Sequence, residues 1–70
     1  MNIRMLGYNI SNEMHKQHMT YRELGRRVDK EHATIANHIL EPRKITVLEL
    51  LRVAAALGVN WWDLMEGVDE

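Results

Sequence analysis

The segment Thr20–Leu40 constrains the fold more than any other part of this 70-residue chain. Thr20 and Glu23 have the Thr-x-x-Glu spacing of a capping box, which marks the start of a helix. Apolar residues four apart then form two pairs, each on one helix face: Leu24 with Val28, and Ile35 with Ile39. Because the polar residues Asp29–Glu31 separate the pairs, the segment predicts two short helices joined by a turn.

A glycine near the end of the first short helix indicates how the two helices pack. Helices joined by about three residues approach closely only where the first offers a small side chain at the crossing. Gly25 lies at that position, one residue after Leu24. The segment therefore predicts a helix-turn-helix, in which the second helix is free to enter a DNA major groove.

The order of residues in this motif resembles the DNA-binding domains of lambdoid-phage repressors and Cro proteins, the Xre-like family: Thr20, Leu24, Gly25, Val28 and Ile35. The segment Ile45–Leu64, with its Ala-Leu-Gly-Val junction, is similar to the later helices of that family. The resemblance spans nearly the whole chain. It implies an all-α, five-helix, lambda-repressor-like DNA-binding domain that contains a helix-turn-helix.

The turn departs from the family pattern at three positions. Asp29 stands where the family usually has Gly, and Lys30 stands where it has an apolar residue. Glu31 replaces the common Ser or Thr, although Glu is a poor helix N-cap. Asp tolerates left-handed backbone better than most residues. Asp29 is therefore expected either to adopt that conformation or to cap the second helix itself.

Helical spacing continues on both sides of the motif and predicts a single domain, 1–70, with helices at about 2–16, 21–28, 32–40, 46–57 and 61–66. In the first helix we expect Ile3, Leu6, Ile10 and Met14 in the core, and close packing at Gly7. In the fourth, a second capping box at Thr46 and Glu49 precedes the expected core stripe Val47, Leu50, Leu51, Ala54 and Leu57. Pro42 ends the third helix, Gly58 ends the fourth, and residues 68–70 are expected to fray.

The net charge of −1 is low for a DNA-binding protein, but the charges are unevenly distributed. Residues 15–44 carry seven Lys or Arg and four acidic residues, a net charge of +3, whereas residues 45–70 carry −4. Positive charge therefore collects around the helix-turn-helix. This distribution fits DNA binding that is modest in strength and sensitive to salt.

The resemblance also implies roles for individual residues. The outward positions of the recognition helix are His32, Ala33, Ala36 and Asn37, which we expect to contact bases, with Asn37 pairing to adenine and an alanine touching a thymine methyl. The residues expected to contact the DNA backbone are Tyr21, Arg22, Lys30, Arg43 and Lys44. The alternative is that Asn37, His32 and the arginines of the second helix only face solvent.

One small recognition helix supplies little affinity, so we expect a weak homodimer that is completed on DNA. Trp61 and Leu64 are spaced to face the core, which would leave Trp62 outside. With the outward Leu48 and with Met65, Trp62 then forms the expected dimer interface. The alternative is that Trp61 is the exposed ring and Trp62 packs on its own domain.

Other chemistries have little support in the sequence. There is no Cys, no Gly-rich phosphate loop and no set of His and acidic residues at metal-ligand spacing, so we predict no enzyme, metal or cofactor. No apolar run is long enough to span a membrane. The expected function is a phage or prophage repressor in the bacterial cytoplasm, at the nucleoid when bound. The alternative is a protein-binding module on the same fold, such as an antitoxin or anti-repressor.

Overall fold

The computed structural model describes all residues from 1 to 70 and is entirely helical. Its five α-helices are α1 (Arg4–Lys16), α2 (Tyr21–Val28), α3 (His32–Leu40), α4 (Val47–Leu57) and α5 (Trp61–Leu64). A short 3₁₀ turn, Pro42–Lys44, follows α3. The prediction of an all-α chain with five helices is confirmed. The main differences are the later start of α1, the shorter α5 and the 3₁₀ turn, which begins at Pro42 because proline suits a first helical position.

The helices α2 and α4 begin after a threonine, as the sequence predicts, but each of the two capping boxes is only half formed. The Oγ1 atom of Thr20 accepts a hydrogen bond from the backbone N–H of Glu23 over 3.1 Å, and Thr46 does the same for Glu49 over 3.1 Å. In a complete box the glutamate side chain returns to the threonine N–H. Here the carboxylate of Glu23 binds two arginines, and that of Glu49 contacts a histidine.

All five helices contribute to one core. Its twelve buried apolar residues are Leu6, Ile10, Met14, Leu24, Val28, Ile35, Leu50, Val53, Ala54, Leu57, Leu64 and Val68. Removing this apolar surface from water is the main driving force for folding of so short a chain. The expected core positions of α1 are confirmed, with Ile3 half-buried against the cluster.

The expected core stripe of α4 is wrong in part. Leu50, Ala54 and Leu57 are buried as predicted, whereas Val47 is 75% exposed and Leu51 is 45% exposed. The buried stripe passes through Val53 instead. On a helix these residues repeat at i, i+3, i+4 and i+7 from Leu50, so the covered face is rotated away from Val47 and Leu51. Those two side chains form an apolar surface beside the core face.

The C-terminal segment also differs from expectation. Trp61 is 44% exposed and does not face the core, because α5 is a single turn in which Leu64 is the buried residue. Val68, expected to fray, is 3% exposed, and its carbonyl accepts a hydrogen bond from the N–H of Asn2 over 2.6 Å. Gly67, at φ +83°, provides the left-handed turn that returns Val68 to the core.

Candidate functional site

The connection between α2 and α3 is a left-handed turn at Asp29, whose φ is 59° and ψ 46°. The following N–H, of Lys30, donates to the carbonyl of Gly25 over 2.8 Å. A Cβ atom on Gly25 would collide with the carbonyl oxygen of Lys30, so the predicted need for a small residue at this crossing is confirmed. Glu31 occupies the N-cap position of α3 without a side-chain hydrogen bond. Asp29 therefore ends α2 and does not cap α3.

Three contacts hold the inner side of α3 against the rest of the chain. Ile35 is 2% exposed and lies in the core. A Cβ atom on Gly7 of α1 would collide with the carbonyl oxygen of Ile39, so the two backbones touch, as the glycine predicted. His38 is joined to Glu49 of α4, with Nδ1 2.7 Å from Oε2. The inner side of α3 is thus in contact with both α1 and α4.

Of the residues predicted to contact bases, Ala33 and Asn37 lie on the side of α3 opposite Ile35. His32, Ala33 and Asn37 are exposed, and Ala36 is half-buried. Ala33 and Asn37 line a shallow recess that they share with Thr34, His38 and Lys44. His32 is the first residue of α3 and lies outside that recess. The structure therefore brings Ala33, Asn37 and Lys44 together on one surface.

The 3₁₀ turn carries a small polar network against this surface. The Nζ atom of Lys44 donates to Oδ1 of Asn37 over 3.2 Å and lies 3.3 Å from Oε1 of Glu41. Arg43 contacts the other carboxylate oxygen of Glu41 at 3.5 Å. Lys44 thus links a predicted base-contacting residue to a carboxylate. Sequence reasoning assigned no role to Glu41, because its spacing to Lys44 forms an ion pair only once the 3₁₀ turn is known.

The basic residues of α2 separate into paired and unpaired groups. Arg26 and Arg27 both bind Glu23, at 2.6 and 3.1 Å, and Arg27 also donates to the carbonyl of Ala56 over 3.1 Å. Hydrogen bonds from Arg26 and then Arg27 lower the pKa of Glu23 to about 2. Arg22 forms no ion pair and is exposed, as are Lys30 and Tyr21, the latter at 43%. Arg27 therefore has a structural role, and Arg22 is free to bind a partner.

Of the three residues predicted to form a dimer interface, two are exposed and one is half-buried. Leu48 and Trp62 are each 56% exposed. Met65 is half-buried and packs against the core, so only part of its side chain is available to an interface. Leu48 lines a recess with Lys30, whereas Met65 lines a groove with Val47.

Other exposed aromatic and aliphatic side chains lie on α4 and α5. The rings of Trp61 and Trp62 meet edge to face, with centroids 5.6 Å apart and an interplanar angle of 84°. Val47 and Leu51 add exposed apolar surface that sequence reasoning had assigned to the core. The unexpected exposure of these residues enlarges the apolar surface available to a partner.

The other recesses and side-chain clusters lie away from α3. The largest recess lies between α1 and the segment after Gly58, and is mainly polar, with Asn9, Asn12, Glu13 and Lys16 on the α1 side. No group of three or more His, Asp or Glu residues is placed to hold a metal ion. None of the helices has the length and apolar character needed to cross a bilayer.

No protein-family model, curated protein or solved structure matches this chain. What it binds is therefore inferred from its own side chains.

Proposed function

We propose that this chain is a sequence-specific double-stranded DNA-binding protein of the lambda-repressor-like, Cro or repressor type, acting as a phage or prophage transcriptional regulator. In this proposal α2, the Asp29 turn and α3 form the helix-turn-helix, and α3 is the recognition helix. The observation that carries the proposal is the two-sided character of α3. Its inner side is held by α1 and α4, while Ala33 and Asn37 are exposed on the opposite side and His32 is exposed at its first position.

The dimensions of α3 suit this role. Its nine residues give a length of about 13 Å at a rise of about 1.5 Å per residue. A major groove is about 12 Å wide and admits one helix. The alanines on its exposed side allow a close approach to base edges, and Asn37 offers hydrogen bonds to them.

Basic residues lie within and after the proposed motif. Arg22 and Lys30 have no acidic partner and are available for phosphate oxygens. Arg43 and Lys44 share the carboxylate of Glu41, so part of their charge is already compensated. A surface on which some basic residues are unpaired and others are paired with a carboxylate supports moderate affinity for DNA with a marked salt dependence.

Assembly as a weak homodimer is part of the proposal. A two-fold dimer on half-sites about 34–36 Å apart would double the phosphate and base contacts. The exposed Leu48 and Trp62, with Val47 and Leu51, are the apolar residues from which its interface would be built, and Met65 would lie at the edge. Because few such residues are exposed, we expect the free dimer to be weak and DNA to complete it.

One second function has a specific observation in its favour. Glu31 and Glu41 flank α3, the chain has a net charge of −1, and α4 exposes apolar residues. These features would suit a module that binds another protein, such as an antitoxin or anti-repressor. Such a module would retain the fold and show no salt-dependent affinity for duplex DNA.

The two functions are separated by titrating random duplex DNA at two salt concentrations and then testing two variants. For a DNA-binding protein, the logarithm of the affinity falls linearly with the logarithm of the salt concentration. Asn37→Ala should weaken binding to a selected site by about 1–3 kcal/mol and relax preference at one base pair, whereas Arg43→Ala should weaken all sequences alike. Binding that responds to neither salt nor these substitutions would support the protein-binding alternative.

A further inference from the structure

Asn37 and Lys44 are joined by a hydrogen bond whose direction is set by the chemistry of the two groups. The ammonium group of Lys has three donors and no acceptor. The atom of the Asn37 amide that faces Nζ must therefore be the oxygen, as the 3.2 Å contact to Oδ1 has it. Since the two ends of an amide point in different directions, the NH₂ group of Asn37 is directed away from Lys44.

This orientation changes what Asn37 offers to a base. Paired contact with adenine requires the asparagine oxygen to accept from N6 and its NH₂ group to donate to N7. Here the cationic Lys44 already donates to the oxygen of Asn37, which leaves that oxygen one further lone pair beside the ammonium group. The amino group of adenine would approach a second donor, the Lys44 ammonium, and this arrangement is unfavourable. The adenine contact expected from sequence alone is therefore opposed by the position of Lys44.

Guanine presents the complementary pattern. Its major-groove edge carries two acceptors, N7 and O6, and no donor. Asn37 can donate from its NH₂ group to one of them, and Lys44 has one further donor besides those that face the Asn37 oxygen and the Glu41 carboxylate. Ala33, which lines the same recess, has a side chain too small to block the approach. The two side chains together form a donor pair.

We propose that Lys44 and Asn37 act together to select guanine at one base pair, with Lys44 as a specificity-determining residue and not only a phosphate contact. The inference rests on the proposed DNA-binding function. Glu41 completes the arrangement, because its carboxylate lies 3.3 Å from Nζ and holds the ammonium beside Asn37. Arg43 touches Glu41 but not Asn37, so it has no part in this selection.

The test is selection of bound sequences from a random duplex library, carried out at one fixed salt concentration with five forms of the full chain. The wild type defines the preferred site, and Asn37→Ala identifies the base pair that Asn37 reads by flattening the preference there. Lys44→Met keeps the aliphatic stem but removes the donors, and Lys44→Arg restores them. Arg43→Met is the matched control, since it removes a neighbouring charge that also contacts Glu41. Circular dichroism melts establish that each variant is folded.

Guanine is expected at that base pair for the wild type and for Lys44→Arg. Lys44→Met should reduce the preference for guanine there on the order of 10- to 100-fold, the discrimination carried by a good paired base contact. Arg43→Met should weaken all sequences without changing the preferred base. Adenine at that pair in the wild type, or guanine retained by Lys44→Met, would overturn the inference and leave the proposed function intact. Absence of duplex binding by the wild type would remove both.

Discussion

The imidazole of His38 faces both carboxylate oxygens of Glu49, with Nδ1 2.9 Å from Oε1 and 2.7 Å from Oε2. Glu49 is 5% exposed, and the His38 side chain is 19% exposed. The pair joins α3 to α4 and gives a buried carboxylate its only side-chain partner. Removing one member of such a pair costs far more than removing both.

We therefore expect His38→Leu to lower the free energy of unfolding by about 3 kcal/mol, because the Glu49 carboxylate would remain buried without its partner. Adding Glu49→Leu should recover a large part of that loss, since no buried charge is left. Urea unfolding of the single and double variants measures both changes. A double variant no more stable than His38→Leu would show that the pair contributes little through its charge.

The backbone conformation of Asp29 determines whether a substitution there lowers stability. Its φ of 59° is left-handed, where a side chain beyond Gly, Asn or Asp is strained by about 1–2 kcal/mol. Asp29→Gly and Asp29→Asn should therefore change thermal stability little, and Asp29→Ala should lower it. The Asn variant controls for loss of charge. Equal stability of the Gly and Ala variants would mean that the turn is not strained.

Glu23 should affect stability at acid pH. Its pKa is lowered to about 2 from 4.5 by Arg26 and Arg27, so between these values the folded chain binds fewer protons than the unfolded chain. The contribution of Glu23 is therefore fully present above pH 4.5 and is lost as pH falls toward 2. An NMR titration of the Glu23 carboxyl carbon should give a midpoint near 2, and Glu23→Gln should flatten the acid limb of the stability curve. A midpoint near 4.5 would contradict the two hydrogen-bonded contacts.

Glu41 should limit affinity for DNA if the proposed function holds. Its carboxylate compensates part of the positive charge of Arg43 and Lys44 and would lie near phosphate oxygens. Glu41→Gln should therefore strengthen binding to random duplex DNA severalfold and steepen its salt dependence by up to about one phosphate equivalent. Glu66→Gln makes the same charge change beyond α5 and should have a smaller effect. Equal effects of the two variants would indicate a general charge effect only.

Trp62 tests the proposed dimer, with Trp61 beside it as the matched control. Both rings are exposed, so either substitution by alanine should change the free energy of unfolding by no more than about 0.5–1 kcal/mol. Trp62→Ala should reduce cooperative binding to a two-half-site duplex, measured by gel shift, while Trp61→Ala should reduce it less. Unfolding of the Trp62 variant would make that residue structural and direct the search for an interface to Val47 and Leu51.

The sequence predicts the features of this chain that depend on near neighbours. The threonine caps, the close packing at Gly25, and the ends of α2 and α3 follow from spacings of a few residues, whereas the close packing at Gly7 follows from the residue type alone. Glycine positions predict where two backbones approach closely, because a Cβ atom would collide there.

Features that depend on how helices pack were predicted less well. Val47 and Leu51 share a helix with the true core residues, and which of two adjacent faces is covered depends on where the other helices lie. The pair between His38 and Glu49 links two helices across eleven residues, and the bond from Lys44 to Asn37 depends on the 3₁₀ turn. Neither contact has a local signal in the sequence.

The backbone contact between Gly7 and Ile39 has a consequence for the kinetics of any encounter on the exposed side of α3. Together with the His38 contact, it prevents α3 from shifting or tilting without displacing α1 and α4. A partner then meets a surface whose shape is established before contact, so association should follow a single diffusional step whose rate depends on charge and ionic strength. Good and poor partners would consequently differ mainly in the rate at which the complex dissociates. A substitution that loosened α3, such as Gly7→Ala, should instead introduce a slow rearrangement visible as a second kinetic phase.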